Sequence, residues 1–219
     1  MTRTPPLYAL TKGTLGALAR TVWRPTVTGL EHLPRDTGAI LCPNHLAIAD
    51  QIFLGIGTPR HITFWAKAEY FRTPGLRGEL NRRVVTGMGA IPVERAGGRA
   101  VLDAFASAVP VLRSGGLVTV FPEGTRSPDG RLYRGRTGAV RLAVQAGVPI
   151  IPVGITGTDR IRPAGSRFPR PVPITITFGP ALPVAGPDTG PRDIRAHTDE
   201  VIRRIQELTG QEYVPAYAR

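Results

Sequence analysis

From Thr37 onward, short apolar runs alternate with stretches that repeat at helical spacing, and this alternation limits the chain to few folds. Ala39–Cys42, Gly89–Val93, Leu117–Phe121 and Pro149–Ile155 are too short and too continuously apolar for surface helices, and read as buried strands. His61–Ala66 alternates loosely and reads as another strand, and Pro173–Phe178 puts Ile174, Ile176 and Phe178 on one face. Between these lie helical patterns. Leu46–Ile56 is one, and Leu76, Leu80 and Val84 lie four apart on one face of another. Val101, Phe105, Ala108 and Leu112 mark a third that closes at Gly115-Gly116. Thr137–Gln145 ends at Gly147, and Asp193–Leu208, with Ile194, Val201, Ile205 and Leu208 on its inner side, is followed by Gly210. Strand and helix alternating over the whole length imply a single α/β domain, with a mixed, largely parallel sheet flanked by helices. At 219 residues the chain has room for one sizeable core. The uneven strand spacing argues against an eightfold barrel, and the Pro/Gly-rich stretch Pro163–Pro173 reads as a surface loop within the domain, not a linker.

An N-terminal helix is expected over Leu7–Trp23, with Leu7, Leu10, Leu15, Leu18 and Val22 as its apolar positions. The simpler expectation is a first helix that packs into the core through these residues. The alternative is a helix lying in a membrane interface, where apolar and basic faces both find partners. No stretch approaches the ~20 apolar residues needed to span a bilayer, and Met1–Thr11 lacks the features of a signal peptide. The single cysteine, Cys42, excludes an internal disulfide, and four dispersed histidines form no zinc-binding pattern. A cytosolic protein is therefore expected.

Charge narrows the partners. Twenty-eight basic residues, 26 of them Arg, stand against sixteen acidic ones. Residues 60–170 carry 18 basic and 7 acidic residues, so the excess is concentrated there. A planar guanidinium suits phosphate and carboxylate. The candidate partners are a phosphate-bearing substrate, an anionic membrane face, nucleic acid or an acidic carrier protein. Nucleic acid is disfavoured, because only 6% of residues are aromatic and no known binding module is present.

Three segments that follow strands carry groups able to do chemistry. In Asn44-His45-Leu46-Ala47-Ile48-Ala49-Asp50, a regular helix would hold His45 and Asp50 ~140° apart. With His45 in the turn before the helix, Asp50 can fold back to the imidazole, fix its tautomer and leave the other nitrogen as a general base. The plainer alternative is a helix-capping His and a solvated first-turn acid. Phe121-Pro122-Glu123-Gly124-Thr125-Arg126-Ser127 offers a cation, hydroxyls and free N–H groups around a glycine, which suits a phosphate, or else forms an ordinary polar turn leading into Pro128-Asp129-Gly130. Gly89–Val93 delivers Glu94 and Arg95 at its end. Ligands gather outside the carboxyl ends of strands in open α/β sheets, so three charged strand ends on one edge would converge.

In order and spacing, these segments resemble the motifs of the glycerolipid acyltransferase family, whose bacterial members include 1-acylglycerol-3-phosphate O-acyltransferases. Asn44-His45 through Asp50 is similar to the H-x4-D block, Gly89–Arg95 to the second, Phe121–Ser127 to the F-P-E-G-T-R-S block, and Val148–Val153 to the fourth, an apolar strand. The motif-bearing core spans residues 37–160 and residues 1–24 precede it as the N-terminal helix. The resemblance implies that His45 is the general base and Asp50 its orienting partner. It also implies that Lys67, Arg95, Glu123, Gly124, Thr125 and Arg126 hold the glycerol phosphate. Ala47 departs from the Ser that many members carry two positions after the His, which removes a hydrogen bond near the site. The implied reaction moves an acyl group from acyl-CoA or acyl carrier protein, as co-substrate and without a cofactor, to the free hydroxyl of lysophosphatidic acid. Another lysophospholipid, a glycolipid or an ornithine lipid are the alternative acceptors, and a non-enzymatic binder of anionic membranes is the rival from another class. The implied location is peripheral, on the cytoplasmic side of the cell membrane.

Other chemistries lack their residues. None of the serines Ser107, Ser114, Ser127 or Ser166 stands in G-x-S-x-G, and there is neither a P-loop nor G-x-G-x-x-G. Cys42, three residues before His45, is expected to be a small apolar strand residue and not a nucleophile.

Overall fold

All five residues of Ala39–Pro43 (β2) are buried, because this strand lies inside a six-stranded sheet with neighbours on both sides. The computed structural model describes residues 4–93, 98–162, 165, 167–184, 186 and 188–218; the side chains of 67 and 98–103 are outside that set. The described chain runs α1 (Pro6–Val22), β1 (Thr26–Thr28), β2, α2 (Ala49–Gly57), β3 (Ile62–Thr63), β4 (Trp65–Lys67), α3 (Glu69–Arg72), α4 (Gly75–Gly87) and β5 (Ile91–Val93). It continues with α5 (Gly98–Arg113), β6 (Leu117–Thr119), β7 (Leu132–Tyr133), α6 (Gly138–Ala146), β8 (Ile150–Thr156), β9 (Thr175–Phe178), α7 (Pro191–Thr209) and β10 (Tyr213–Val214). The sheet order is β1-β9-β8-β2-β6-β3. Every pair in it is parallel except β8–β9. The parallel pairs β4–β5 and β7–β10 stand beside it. The fold is thus the expected α/β domain with a mixed, largely parallel sheet and an N-terminal helix.

The two-residue period of β2 builds two cores. Ile40 and Cys42 pack with Val118 and Ile150 against α5, α6 and α7 through Ala108, Leu112, Leu142 and Ile205. Ala39 and Leu41 face the other way, with Leu117, Ile151 and Ile155, onto Phe53, Leu54 and Ile56 of α2. The sheet is therefore covered on both faces, which is why its strands read as continuous apolar runs. Cys42 is fully buried, burial pushes its thiol pKa up, and it behaves as the apolar strand residue its context implied.

The helix caps follow local chemistry. Gly147 (φ 69°) and Gly210 (φ 68°) end α6 and α7 in the left-handed conformation that glycine adopts without strain. Several boundaries differ from the sequence pattern. Helix α2 starts at Ala49, not Leu46, because residues 45–47 form the turn into which Asp50 folds. The strand expected over His61–Ala66 breaks at Phe64, so that β3 pairs with β6 and β4 with β5. The short strands β1, β7 and β10 carry no apolar run and escape detection by periodicity.

The packing of α1 overturns one expectation. Its buried residues are Tyr8, Gly16 and Ala19, while Leu10, Leu15, Leu18 (57% exposed) and Val22 face outward. Tyr8 OH donates to the carbonyl of Gly55 at 3.3 Å, and a side chain at Gly16 would meet Ile56 and Arg20. Close approach to α2 thus selects small residues and one tyrosine, and the leucines are left on the opposite side. Leu76, Leu80 and Val84 of α4 are likewise exposed, Leu76 to 91%.

Candidate active site

Parallel pairing places the carboxyl ends of β2, β6 and β8 on one edge of the sheet, and the functional groups issue from there. After β2, Asn44 is fully buried. Its side chain donates to the Ile155 carbonyl at 2.9 Å and accepts from the Ile155 N–H at 2.8 Å, extending the β2–β8 ladder by a side chain. That pairing fixes where His45 starts.

Asp50 then folds back as one of the two sequence readings required. Its Oδ2 accepts from His45 Nδ1 at 2.9 Å and from the N–H groups of Leu46 at 2.7 Å and Ala47 at 2.8 Å. Its Oδ1 accepts the hydroxyl of Thr158, in the turn after β8. Asp50 is fully buried, while the His45 side chain is 14% exposed. With Nδ1–H given to the carboxylate, the Nε2 lone pair of His45 is left for the cavity that the residue lines. The ring stacks on Phe121 at 3.8 Å and 22°, which restricts its rotation. Ala47 contributes through its backbone N–H.

The turn after β6 is laced to the histidine turn. Glu123 Oε1 accepts the His45 N–H at 2.9 Å, and the His45 carbonyl accepts the Ser127 N–H at 2.7 Å. Glu123 Oε2 accepts the Tyr133 N–H at 3.0 Å. Glu123 is 1% exposed and both of its oxygens accept backbone N–H groups, so it fastens three loops together. Burial raises its pKa and the two N–H donors oppose that rise.

Gly124, Thr125 and Arg126 do line the cavity, together with His45, Trp65 and Arg136; its volume is about 680 Å³. An apolar cleft of about 280 Å³, walled by Trp65, Val93, Phe105, Val120 and Phe121, adjoins it. Thr119 Oγ1 is buried in the cavity wall with no hydrogen-bond partner among the described residues. Lys67 stands at the end of β4 and Val93 at the end of β5, beside the cavity edge; the Lys67 side chain and the whole of Glu94 and Arg95 lie outside the described residues. A separate cleft of about 410 Å³, lined by Arg134, Asp199, Arg203 and Tyr213, contains no histidine.

The sequence patterns did not single out Thr158, Arg136 or Gln211, whose side-chain Oε1 accepts from Asn44 Nδ2 at 2.9 Å. Thr158 had a usable signal, since it follows the end of a buried strand as His45 and Glu123 do. Gln211 had none, because it meets Asn44 only through the return of the chain after α7.

These features define a class of protein: a largely parallel α/β sheet whose strand ends hold a buried-carboxylate His dyad in an arginine-lined cavity. The chain belongs to the Acyltransferase family, whose model matches residues 24–156. A 1-acyl-sn-glycerol-3-phosphate acyltransferase of Bacillus subtilis is 32% identical over 182 residues, covering 81% of this chain and 84% of its own. A chloroplastic 1-acyl-sn-glycerol-3-phosphate acyltransferase of Arabidopsis thaliana is 34% identical over 142 residues, covering 64% of this chain and 38% of its own. The chain spans roughly two fifths of the length of that relative and of its Brassica napus counterpart, of which 41% is covered. Among solved structures, the crystal structure of the 1-acyl-sn-glycerophosphate acyltransferase PlsC from Thermotoga maritima matches with a TM-score of 0.68 at 27% identity, covering 92% of this chain and 79% of that one.

Proposed function

We propose that the chain transfers a fatty acyl group from an acyl thioester, acyl-CoA or acyl carrier protein, to the free hydroxyl of lysophosphatidic acid, giving phosphatidic acid. The observation that carries this reading is the His45–Asp50 pair at 2.9 Å, set in a cavity also lined by two arginines that have no carboxylate partner among the described residues. His45 Nε2 takes the proton of the acceptor hydroxyl as its oxygen attacks the thioester carbonyl. Asp50 stabilises the imidazolium that forms. The tetrahedral intermediate collapses, the C–S bond breaks, and the imidazolium returns its proton to the departing thiolate. The thioester supplies its own leaving group, so the reaction needs no cofactor. Arg126 takes the acceptor phosphate, and the apolar cleft beside Phe121 takes acyl chain. The names of the relatives support lysophosphatidic acid over other lysophospholipid, glycolipid or ornithine-lipid acceptors.

We further place the protein on the cytoplasmic surface of an anionic membrane, where its lipid substrate resides. Among the described residues no helix is long and apolar enough to cross a membrane. Helix α1 touches both α2 and α4. Together they expose Leu15, Leu18 and Val22, Ile48 and Ile52 beside the start of α2, and Leu76, Leu80 and Val84. Arg20 and Arg77 stand on the same helices. Apolar side chains next to arginine suit the boundary between acyl chains and acidic headgroups.

The test is acyl transfer from labelled oleoyl-CoA, and separately from oleoyl carrier protein, to a panel of lysophospholipids, with His45→Ala in parallel. Conversion of lysophosphatidic acid by the native chain alone supports both the reaction and the base. Equal conversion by His45→Ala would remove the base, and no conversion with either donor would remove the reaction.

A further inference from the structure

Several described arginines are paired with carboxylates. Arg82, Arg83, Arg131, Arg195, Arg203 and Arg204 each form an ion pair with a carboxylate. The two arginines lining the catalytic cavity, Arg126 and Arg136, have no carboxylate partner among the described residues, and no acidic residue among the described ones lines that cavity with them.

Arg136 is held in place by three contacts. Its N–H donates to the Pro122 carbonyl at 2.7 Å, which ties it to the loop that bears Arg126. Its side chain lies directly across Gly124, where a Cβ would stand 2.8 Å from both Cδ and Nε. Gly124 also has φ 79°, so glycine is required there twice over. Finally, the guanidinium sits 5.0 Å from the centre of the Tyr217 ring. Tyr217 belongs to a returning segment fixed independently of Arg136. In that segment β10 pairs with β7, and the Arg134 N–H donates to the Ala216 carbonyl at 2.9 Å. Gln211 Nε2 donates to the Gly130 carbonyl at 2.6 Å.

We propose that Arg136 is a second phosphate-binding residue of the acceptor site, that with Arg126 it selects a phosphate monoester over a phosphodiester, and that Tyr217 is the residue that positions it. The proposal rests on the acyl-transfer reading and specifies how that site chooses its acceptor. A monoester carries close to two charges at neutral pH and has three terminal oxygens to share between two guanidinium forks, whereas a diester carries one charge and two such oxygens. An aromatic face anchors a cation without neutralising it, as a carboxylate would, so Arg136 is oriented and still attracts an anion.

The test uses the full chain with Arg136→Ala, Arg136→Lys, Tyr217→Ala and Tyr217→Phe. Donor and acceptor KM values are measured with oleoyl-CoA and lysophosphatidic acid. Binding of lysophosphatidic acid and of lysophosphatidylcholine is titrated directly without donor. Arg136→Ala is expected to raise both Kd and KM for lysophosphatidic acid about 10–100-fold, the range for one lost hydrogen-bonded charge, with donor KM and lysophosphatidylcholine Kd unchanged. Arg136→Lys falls between it and the native chain. Tyr217→Ala raises the same two constants by a smaller factor, and Tyr217→Phe, which keeps the aromatic face, restores them. A rise in donor KM in place of acceptor KM would assign Arg136 to phosphates of the donor and overturn the proposal. So would an unchanged lysophosphatidic acid Kd in Arg136→Ala, or a Tyr217→Phe no better than Tyr217→Ala. If the native chain transfers no acyl group, the reaction proposed above fails, and the donor-free titrations still decide the role of Arg136.

Discussion

Replacing Asp50 by Asn separates the charge of the dyad from its hydrogen bonds. Asp50 Oδ2 receives three N–H donors and Oδ1 receives the Thr158 hydroxyl. In Asp50→Asn the amide carbonyl can stay where Oδ2 is. The amide nitrogen then faces Thr158, whose hydroxyl rotates from donor to acceptor. All four hydrogen bonds survive while the negative charge is removed. The imidazolium that forms on His45 loses a charge whose nearest atom is 2.9 Å from Nδ1. With charge centres ~4 Å apart and an effective dielectric of ~20, that attraction is about 4 kcal/mol. Stabilisation present mainly in the transition state appears in kcat, so a fall of about 10³-fold is expected with acceptor KM little changed. Stability should move by no more than about 1 kcal/mol, or roughly 2–4 °C in Tm for a domain of this size. The assay is thiol release from oleoyl-CoA with lysophosphatidic acid, alongside thermal unfolding. A kcat within about tenfold of the native value would refute charge stabilisation by Asp50. A Tm lowered by more than about 8 °C would refute the hydrogen-bond exchange with Thr158. Thr158→Val strands Oδ1 in the native chain and the amide in Asp50→Asn, so it should cost at least about 1–3 kcal/mol in either background.

Gly124→Ala forces a side chain into a left-handed backbone and against Arg136. It should cost about 1–2 kcal/mol of stability and raise acceptor KM, and unchanged values of both would contradict the cradle. His61 has its pKa lowered by burial first and by Lys12 as well, against a rise from its Met88 hydrogen bond, and packs edge-on to Tyr8 at 4.5 Å. A lowered folded pKa means that its contribution to stability is present above the unfolded value of 6.5 and is lost as pH falls below it. His61→Gln should therefore flatten the fall in Tm on acidification from neutral pH, and an unaltered slope would exclude His61 as its source. Leu76→Asp together with Leu80→Asp should lower partition into anionic vesicles at least about tenfold, since each leucine contributes about 1.5–3 kcal/mol when fully buried. Activity on detergent-dispersed acceptor should persist, and undiminished vesicle binding would move the membrane face elsewhere.

What the sequence determined by itself is whatever depends on near neighbours along the chain. Unbroken apolar runs identify β2, β6 and β8 as strands buried on both sides, and Gly147 and Gly210 stop α6 and α7 through their own backbone freedom. The five-residue spacing of His45 and Asp50 is likewise local, and its reading needed only the choice between a helix and a turn at residues 45–47. Tertiary structure decided what depends on the opposite surface. Apolar residues on α1 do not show which side packs, because a leucine is equally apolar on either; the close approach of α2 chose Tyr8, Gly16 and Ala19 and left Leu15, Leu18 and Val22 outside. Glu123 looks like a phosphate-loop residue in the chain, yet it turns inward because two backbone N–H groups, at His45 and Tyr133, need one acceptor between them. Thr158 reaches Asp50 across 108 residues, and Asn44 reaches Gln211 across 167. Pairings at such separations exist only once the sheet has set its strand order, because no local pattern specifies which surface a side chain will meet.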